Sequence, residues 1–455
     1  MANSIEIGIA RTDITPAVGI PLVGFAGRGP STRINDPLYA TAMAVSCSGE
    51  QAVLIALDLL QFKAETVAEF RILIQAASGI SANRITLACS HTHYGPDVDR
   101  AGRRSPSPGP SSAEGAELVD AYRIHLGFKL AGLVQEAQQN LKPARMGIGW
   151  GSSDIGINRR EKTPDGRIIL GNNYYGPVDR EVGVARIEDI EGNPIACLVN
   201  FATHPVAQTS QQRAISAGFS GKMARVVEDL TGAYCLFLQG AAGNINPVAG
   251  FRIPDQKPED LHKPSDSLGI RLGCEVVRVW ETISVGEAQG LNLASKTINL
   301  PRYMYGDLKS AKQLDGEFDQ ELKTRNLSDG QRYWTELRQS RVREAISSYE
   351  TGIPLDPVEA ELQAWRIGDL AFVTAPAEIF TENGTLVKNQ SPFDHTFFVG
   401  YTNGSIGYVP TVDAYPEGGY EVTHACQVDP EAGGMINEDC LALLRQHNGG
   451  DSYGR

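Results

Sequence analysis

Twice in this chain an apolar run of strand formers is followed by an amphipathic helix and then by a second apolar run. That order restricts the fold more than any other feature. Gln51 to Leu60 (QAVLIALDLL) reads as a strand, Ala64 to Ala76 carries Val67, Phe70 and Ile74 at helical spacing, and Arg84 to Ser90 reads as the next strand. The order returns with a strand at Pro194 to Ala202 and a helix at Ser220 to Leu230, with Met223, Val226, Val227 and Leu230 inward. A strand at Tyr234 to Gln239 completes it. Each unit ends in a turn of small residues. The residues of the two units align poorly, so the repeat reads as a weak internal duplication. The expected fold class is α/β, with layered mixed β-sheets flanked by helices.

The rest of the chain fits the same domain. Gly306 to Glu350 is charged and helix-prone, with an apolar stripe of Trp334, Leu337 and Val342, and reads as a solvated outer helix or hairpin. Leu370 to Ala375 and Thr396 to Tyr401 read as strands, each followed by a turn-rich segment. Arg100 to Gly115 (RAGRRSPSPGPSSAEG) is a surface loop, open between a lid and a tolerated insertion. No linker-like break divides the chain, so residues 1–455 read as a single catalytic domain.

Composition narrows the partners. With 42% apolar and 21% charged residues the chain is an ordinary globular protein. A net charge of −13 argues against nucleic acid and against an anionic membrane surface, which leaves a small molecule. The N-terminus has no basic stretch before an apolar core, and no run is long enough for a transmembrane segment. The seven cysteines are scattered without a CxxC pair. A reduced, cytoplasmic setting is therefore expected.

Two places bring histidine to the end of an apolar run. Ala88-Cys-Ser-His91-Thr-His93-Tyr-Gly-Pro96 is one and Val199-Asn-Phe-Ala-Thr-His204-Pro205 is the other. Of eight histidines, three fall in these two settings. Period-two geometry at a strand end points His91 and His93 to one face, where they can chelate a metal, or one can ligate while the other faces substrate. A pair of histidines capping a loop has the same spacing. Glu378 is marked only by its position after a strand and a Pro turn. Asn158-Arg159-Arg160 lies in an expected Gly- and Asn-containing loop, where an arginine can hold an oxyanion. Other signals fail. Gly218-Phe-Ser-Gly-Lys222 has Ser216 and Met223 where a phosphate loop needs Gly and Ser or Thr, and there is no GxSxG or HExxH.

Taken in order, the blocks ARTDITP, DPLY, SHTHYGP, GINRR, GPVDREVGV, NFATHP, FLQGAAGNINP, APAEIFTENG and GYVPTVDAYPEGGYE resemble the catalytic domain of the neutral/alkaline (non-lysosomal) ceramidases. The resemblance implies a zinc-dependent amidohydrolase of lipid and sphingolipid metabolism, in which one zinc ion per chain activates water to cleave an N-acyl amide. Carried over position by position, it implies His91, His204, Glu378 and Tyr408 as metal ligands. It places His93, Arg159 and Tyr420 beside the scissile bond, to hydrogen-bond the oxyanion or protonate the leaving amine. Two positions depart from the family pattern, Gly218 and Asn244, where acidic residues are usual. The C-terminal immunoglobulin-like domain of longer members is expected to be absent. The substrate is then ceramide or a smaller N-acyl compound. An esterase or lactonase using the same site, or a non-catalytic small-molecule-binding homologue, are the other readings.

Overall fold

The computed structural model describes residues 4–25, 27–99, 113–208, 211–248 and 262–448. Both expected units are present. Glu50–Leu57, the helix Ala64–Ser78 and Ile85–Cys89 form the first. Pro194–Phe201, the helix Gly218–Thr231 and Tyr234–Gln239 form the second. In each unit the two strands are parallel neighbours, which a tight turn cannot join, so the helix serves as the crossover. A strand lying antiparallel to the opening one precedes each unit, Tyr39–Cys47 in the first and Glu181–Asp189 in the second.

A third unit of the same design lies further on. Val358–Ile367 runs antiparallel to Leu370–Thr374, the helix Thr381–Gln390 follows, and His395–Val399 returns parallel to Leu370–Thr374. Sequence reading finds the strands at Leu370–Thr374 and His395–Val399 but neither Val358–Ile367 nor the helix. The helix is 10 residues long and carries Asn383 and Gly384 on its buried side, so no apolar period announces it.

The first two units share one sheet. From edge to edge its strands are Tyr234–Gln239, Pro194–Phe201, Glu181–Asp189, Lys142–Ser152, Ile5–Asp13, Tyr39–Cys47, Glu50–Leu57 and Ile85–Cys89. The third unit, with Leu291–Leu300, makes a second sheet of four strands. The two sheets pack face to face through Ile5, Met43, Leu54, Leu198 and Leu236 on one side and Trp365, Phe372 and Phe397 on the other. Trp365 and Phe372 stack with ring centroids 5.4 Å apart at the middle of this core. Truncating either to Ala would cost about 3–5 kcal/mol.

Helices cover both outer faces. Ala64–Ser78 and Ala113–Gln139 lie on one half of the large sheet, through Val67, Phe70, Leu126 and Leu130. Gly218–Thr231 and Lys263–Trp280 lie on the other half, through Met223, Val227, Leu272 and Val276. Thr381–Gln390 and Ala432–His447 cover the small sheet with Val387, Ile436 and Leu444. The result is helix, sheet, sheet, helix, in agreement with the expected layered α/β class. Strands covered on both faces read as unbroken apolar runs rather than as alternating ones.

Two readings change, and a third is untested. Leu230 is 62% exposed, so the inward face of its helix is the narrower Met223 and Val227 stripe. Asn158, Arg159 and Arg160 are not in a loop but on the buried strand Gly156–Lys162. Of the lid or insertion expected over Arg100 to Gly115, residues 100–112 lie outside the described residues and the last three open the helix Ala113–Gln139. The 306–350 segment is the expected hairpin, Leu308–Thr324 and Asp329–Thr351, with Ser328 and Gln331 forming a capping box at the second helix. Among the described residues no helix is long and apolar enough to cross a membrane.

Candidate metal centre

His91 and His204 leave the large sheet from strands with five others between them. The sheet coils far enough for its two ends to meet, and the imidazole centroids lie 4.9 Å apart. Gln239 straps the ends together, its Nε2 donating to the Thr203 carbonyl at 2.8 Å and the Ser90 carbonyl at 3.4 Å. The site therefore sits at the carboxyl ends of parallel strands, the usual place for ligands in α/β sheets.

The way His91 and His93 share a face differs from the expectation. The strand stops at Cys89, and His91 has φ of 64°, a left-handed turn that a non-glycine residue rarely adopts. The turn is held by His91 N–H donating to the Leu59 carbonyl at 2.9 Å. It places the two rings edge to face at 4.9 Å. His204 is fixed through its backbone N–H to the Ile245 carbonyl at 3.0 Å. Both contacts come from the backbone, so the sequence spacing does not reveal them.

Each of the three imidazoles has one nitrogen committed to a carbonyl. His91 Nδ1 is 2.9 Å from the Leu60 oxygen, His93 Nδ1 3.1 Å from the Gly24 oxygen and His204 Nδ1 2.7 Å from the Ala242 oxygen. A carbonyl only accepts, so Nδ1 carries a proton in all three, and where the ring is neutral Nε2 presents a lone pair. Burial first, then neighbouring positive charge, pushes His204 down to about 4 and His93 well below its usual value. Both rings are therefore neutral at pH 7, as metal ligands must be.

Those lone pairs converge on further acceptors. His204 Nε2 lies 3.1 Å and His91 Nε2 3.3 Å from the same oxygen, Oε2 of Glu378, and the Tyr408 hydroxyl is 3.4 Å from His204 Nε2. Glu378 and Tyr408 arrive together because Glu378–Ile379 pairs in parallel with Tyr408–Val409. The Nε2 atoms of His91 and His93 are buried without a hydrogen-bond partner, and the donor atoms of His91, His93 and His204 all lie within 4.8 Å of one another. The lone pair of the neutral His204 ring facing a carboxylate with no proton between them is repelled by it. A divalent cation turns that repulsion into coordination, so the residues fit a metal.

Arg159 and Tyr420 stand on the Tyr408 side. The Arg159 guanidinium carbon is 5.2 Å from the Tyr408 ring centre and 5.9 Å from that of Tyr420. Arg159 Nε donates to Glu421 at 2.7 Å, Nη1 reaches Asn246 at 3.3 Å, and Nη2 is buried without a partner. Arg160 Nη1 donates to the second Glu421 oxygen at 2.9 Å. Glu421, the residue after Tyr420, thus holds both arginines of the NRR block, a role that sequence reading missed. It also missed Tyr401, with φ of 57°, whose ring lies 4.1 Å from that of His91 and whose hydroxyl is buried and unpartnered. Its position just after a parallel strand, in GYTNGS, is the signal that could have found it.

The two departures have different consequences. Asn244 is fully bonded, with Nδ2 donating to Glu382 at 2.8 Å and Oδ1 accepting from the Thr381 N–H at 2.9 Å. Gly218 has φ of 68°, and a Cβ there would meet nothing closer than Thr92 at 3.6 Å. A Cβ would touch Thr92, Pro205 and Ser265 without a clash, at a positive φ that strains any other residue.

Fold and site together define an α/β protein with a buried histidine–carboxylate–tyrosine centre of the kind that holds a divalent metal. No family model matches the chain. A curated relative, the neutral ceramidase of Pseudomonas aeruginosa, is 23% identical over 91% of this chain and 68% of its own length. Neutral ceramidase A of Dictyostelium discoideum is 27% identical over 57% of this chain and 38% of its own. The crystal structure of the Pseudomonas neutral ceramidase superposes with a TM-score of 0.70 at 20% identity, covering 98% of this chain and 75% of that one. A ceramidase complexed with C2 superposes with a TM-score of 0.73 at 19% identity, covering 98% of this chain and 76% of that one. The chain is thus similar in sequence to neutral ceramidases and shares the fold of their solved structures.

Proposed function

We propose that this chain is a zinc-dependent amidohydrolase acting on an N-acyl small molecule, with His91, His204, Glu378 and Tyr408 holding the metal. The observation that carries the reading is the meeting of two imidazole nitrogens on one Glu378 oxygen, an arrangement that suits a cation. The names of the relatives supply the amide as the bond. When bound, zinc supplies Lewis acidity and hydroxide at neutral pH.

The remaining work falls to the chain's own groups. Arg159, fixed by Glu421, keeps Nη2 free to donate to an oxyanion. Burial pushes the Tyr420 hydroxyl up to about 12, so it stays protonated and donates. His93 keeps Nε2 as a proton acceptor on the opposite side, its other nitrogen tied to Gly24. The layered packing buries all of these groups or nearly so, which strengthens each interaction by excluding water.

Parallel assays of an N-acyl amide and the matching ester test the bond assignment. Amide cleavage that disappears with the metal supports the proposal, and ester cleavage without amide cleavage would replace it by an esterase.

A further inference from the structure

Arg11, Arg71, Arg123, Arg159 and Arg160 each pair with a carboxylate. Arg28, beside the metal centre, does not. Its Nη2 donates to the carbonyls of Val23 and His93, both at 2.6 Å, and its Nη1 to the carbonyl of Gln212 at 3.2 Å. No carboxylate of the described residues reaches it, and its Nε is buried with no partner. The guanidinium is held flat, 5.1 Å from the Phe25 ring centre and 5.7 Å from that of Tyr94. The Phe25 ring in turn lies 4.9 Å from His93.

A second unfilled donor belongs to the residue that Arg28 grips. Gln212 is 3% exposed, its Oε1 accepts from the Ala214 N–H at 3.3 Å, and its Nε2 is buried without a partner. Unfilled buried donors are uncommon and call for an explanation. Two of them, on neighbouring residues, with one full positive charge and no counter-ion, ask for an anion. Burial brings Arg28 down to about 10, which leaves it charged at neutral pH.

We infer that Arg28 and Gln212 form a carboxylate-recognising subsite next to His93, so that the amide this chain cleaves belongs to an N-acyl amino acid. The inference rests on the proposed amidohydrolase reading for the identity of the cleaved bond. A neutral N-acyl alcohol would leave both donors unfilled. An N-acyl amino acid places its carboxylate a short distance from its amide, as Arg28 is a short distance from His93. Arg28 is a binding residue in this account and takes no part in the bond cleavage.

The test uses binding, which needs no turnover. The ligands are 4-oxoundecanoate, a non-cleavable isostere of N-octanoylglycine, and its neutral amide, 4-oxoundecanamide, titrated calorimetrically into the zinc-loaded chain. The acid should bind about 10-fold tighter or better. Arg28→Gln and the near-isosteric Gln212→Glu should each abolish that preference, and the second leaves the Ala214 contact possible. Equal affinity for both ligands in the wild type, or a preference that survives both substitutions, overturns the subsite. Displacement of the acid by equimolar inorganic phosphate would also overturn it, by reassigning the pocket to phosphate. Cleavage of a neutral N-acyl amide by the wild type would leave the amidohydrolase reading standing in each of those cases.

Discussion

His204 Nε2 and Glu378 Oε2 lie 3.1 Å apart, although 174 residues separate them in the chain. One residue comes from a parallel unit of the large sheet and the other from the unit in the small sheet. The centre is built where the two sheets abut, and its parts are held by backbone hydrogen bonds rather than by one another.

Arg159→Ala should keep the metal and lose turnover, by about 100-fold or more. It also strips Glu421 of one of its two buried partners, which should cost about 3 kcal/mol of stability. Metal analysis, kcat and urea unfolding on the same preparation check this. An active Arg159→Ala protein would remove the residue from the reaction.

Gly24 has φ of +102°, and a Cβ there would sit 2.6 Å from His93 Nδ1. Gly24→Ala should therefore push His93 away from the carbonyl that fixes its tautomer. Activity should fall by about 100-fold, since a displacement of about 1 Å is enough for that loss, and the positive φ should cost about 1–2 kcal/mol of stability besides. Unchanged kcat/KM would show that His93 is not needed in this position.

Asp97, on the loop after His93, is 7% exposed, and its Oδ1 accepts from the Asp99 N–H at 3.2 Å. Burial, with Asp99 adding repulsion and Lys63 opposing it, pushes its carboxyl up to about 6. The folded chain then keeps a proton that the unfolded chain releases near pH 4. That contribution to stability is full below about pH 4, is lost as pH rises to about 6, and is absent above. Asp97→Asn should stabilise by about 2–3 kcal/mol more at pH 7.5 than at pH 4. Urea unfolding at the two pH values reads the difference, and equal effects would contradict it.

Asn244→Asp would set a second carboxylate against Glu382, which burial already raises. The substitution should destabilise by about 1–3 kcal/mol at pH 8 and less at pH 5, where the pair can share a proton. Thermal unfolding at both pH values checks this, and stabilisation at pH 8 would show that the site wants the acid.

What the sequence makes legible follows from what each feature depends on. The two units around Leu57 and Leu198 depend on apolar periodicity, which is local. His91 and His204 stand out because histidine is rare here and both follow strands. Glu378, Tyr408, Arg159 and Tyr420 are carried by the family resemblance, since their meeting is a tertiary event. Glu421 and Tyr401 escape because nothing nearby in sequence records that a carboxylate spans two arginines or that a ring packs against His91. Glycine and asparagine around Arg159 suggest a loop, yet pairing with Ile245–Pro247 makes that stretch a strand.

Metal content per chain, measured by elemental analysis on wild type and His204→Ala side by side, tests the central claim most directly. About one zinc per chain in the wild type and little in the variant is the result this account predicts. A wild type that holds no metal and takes up none when zinc is added would contradict it.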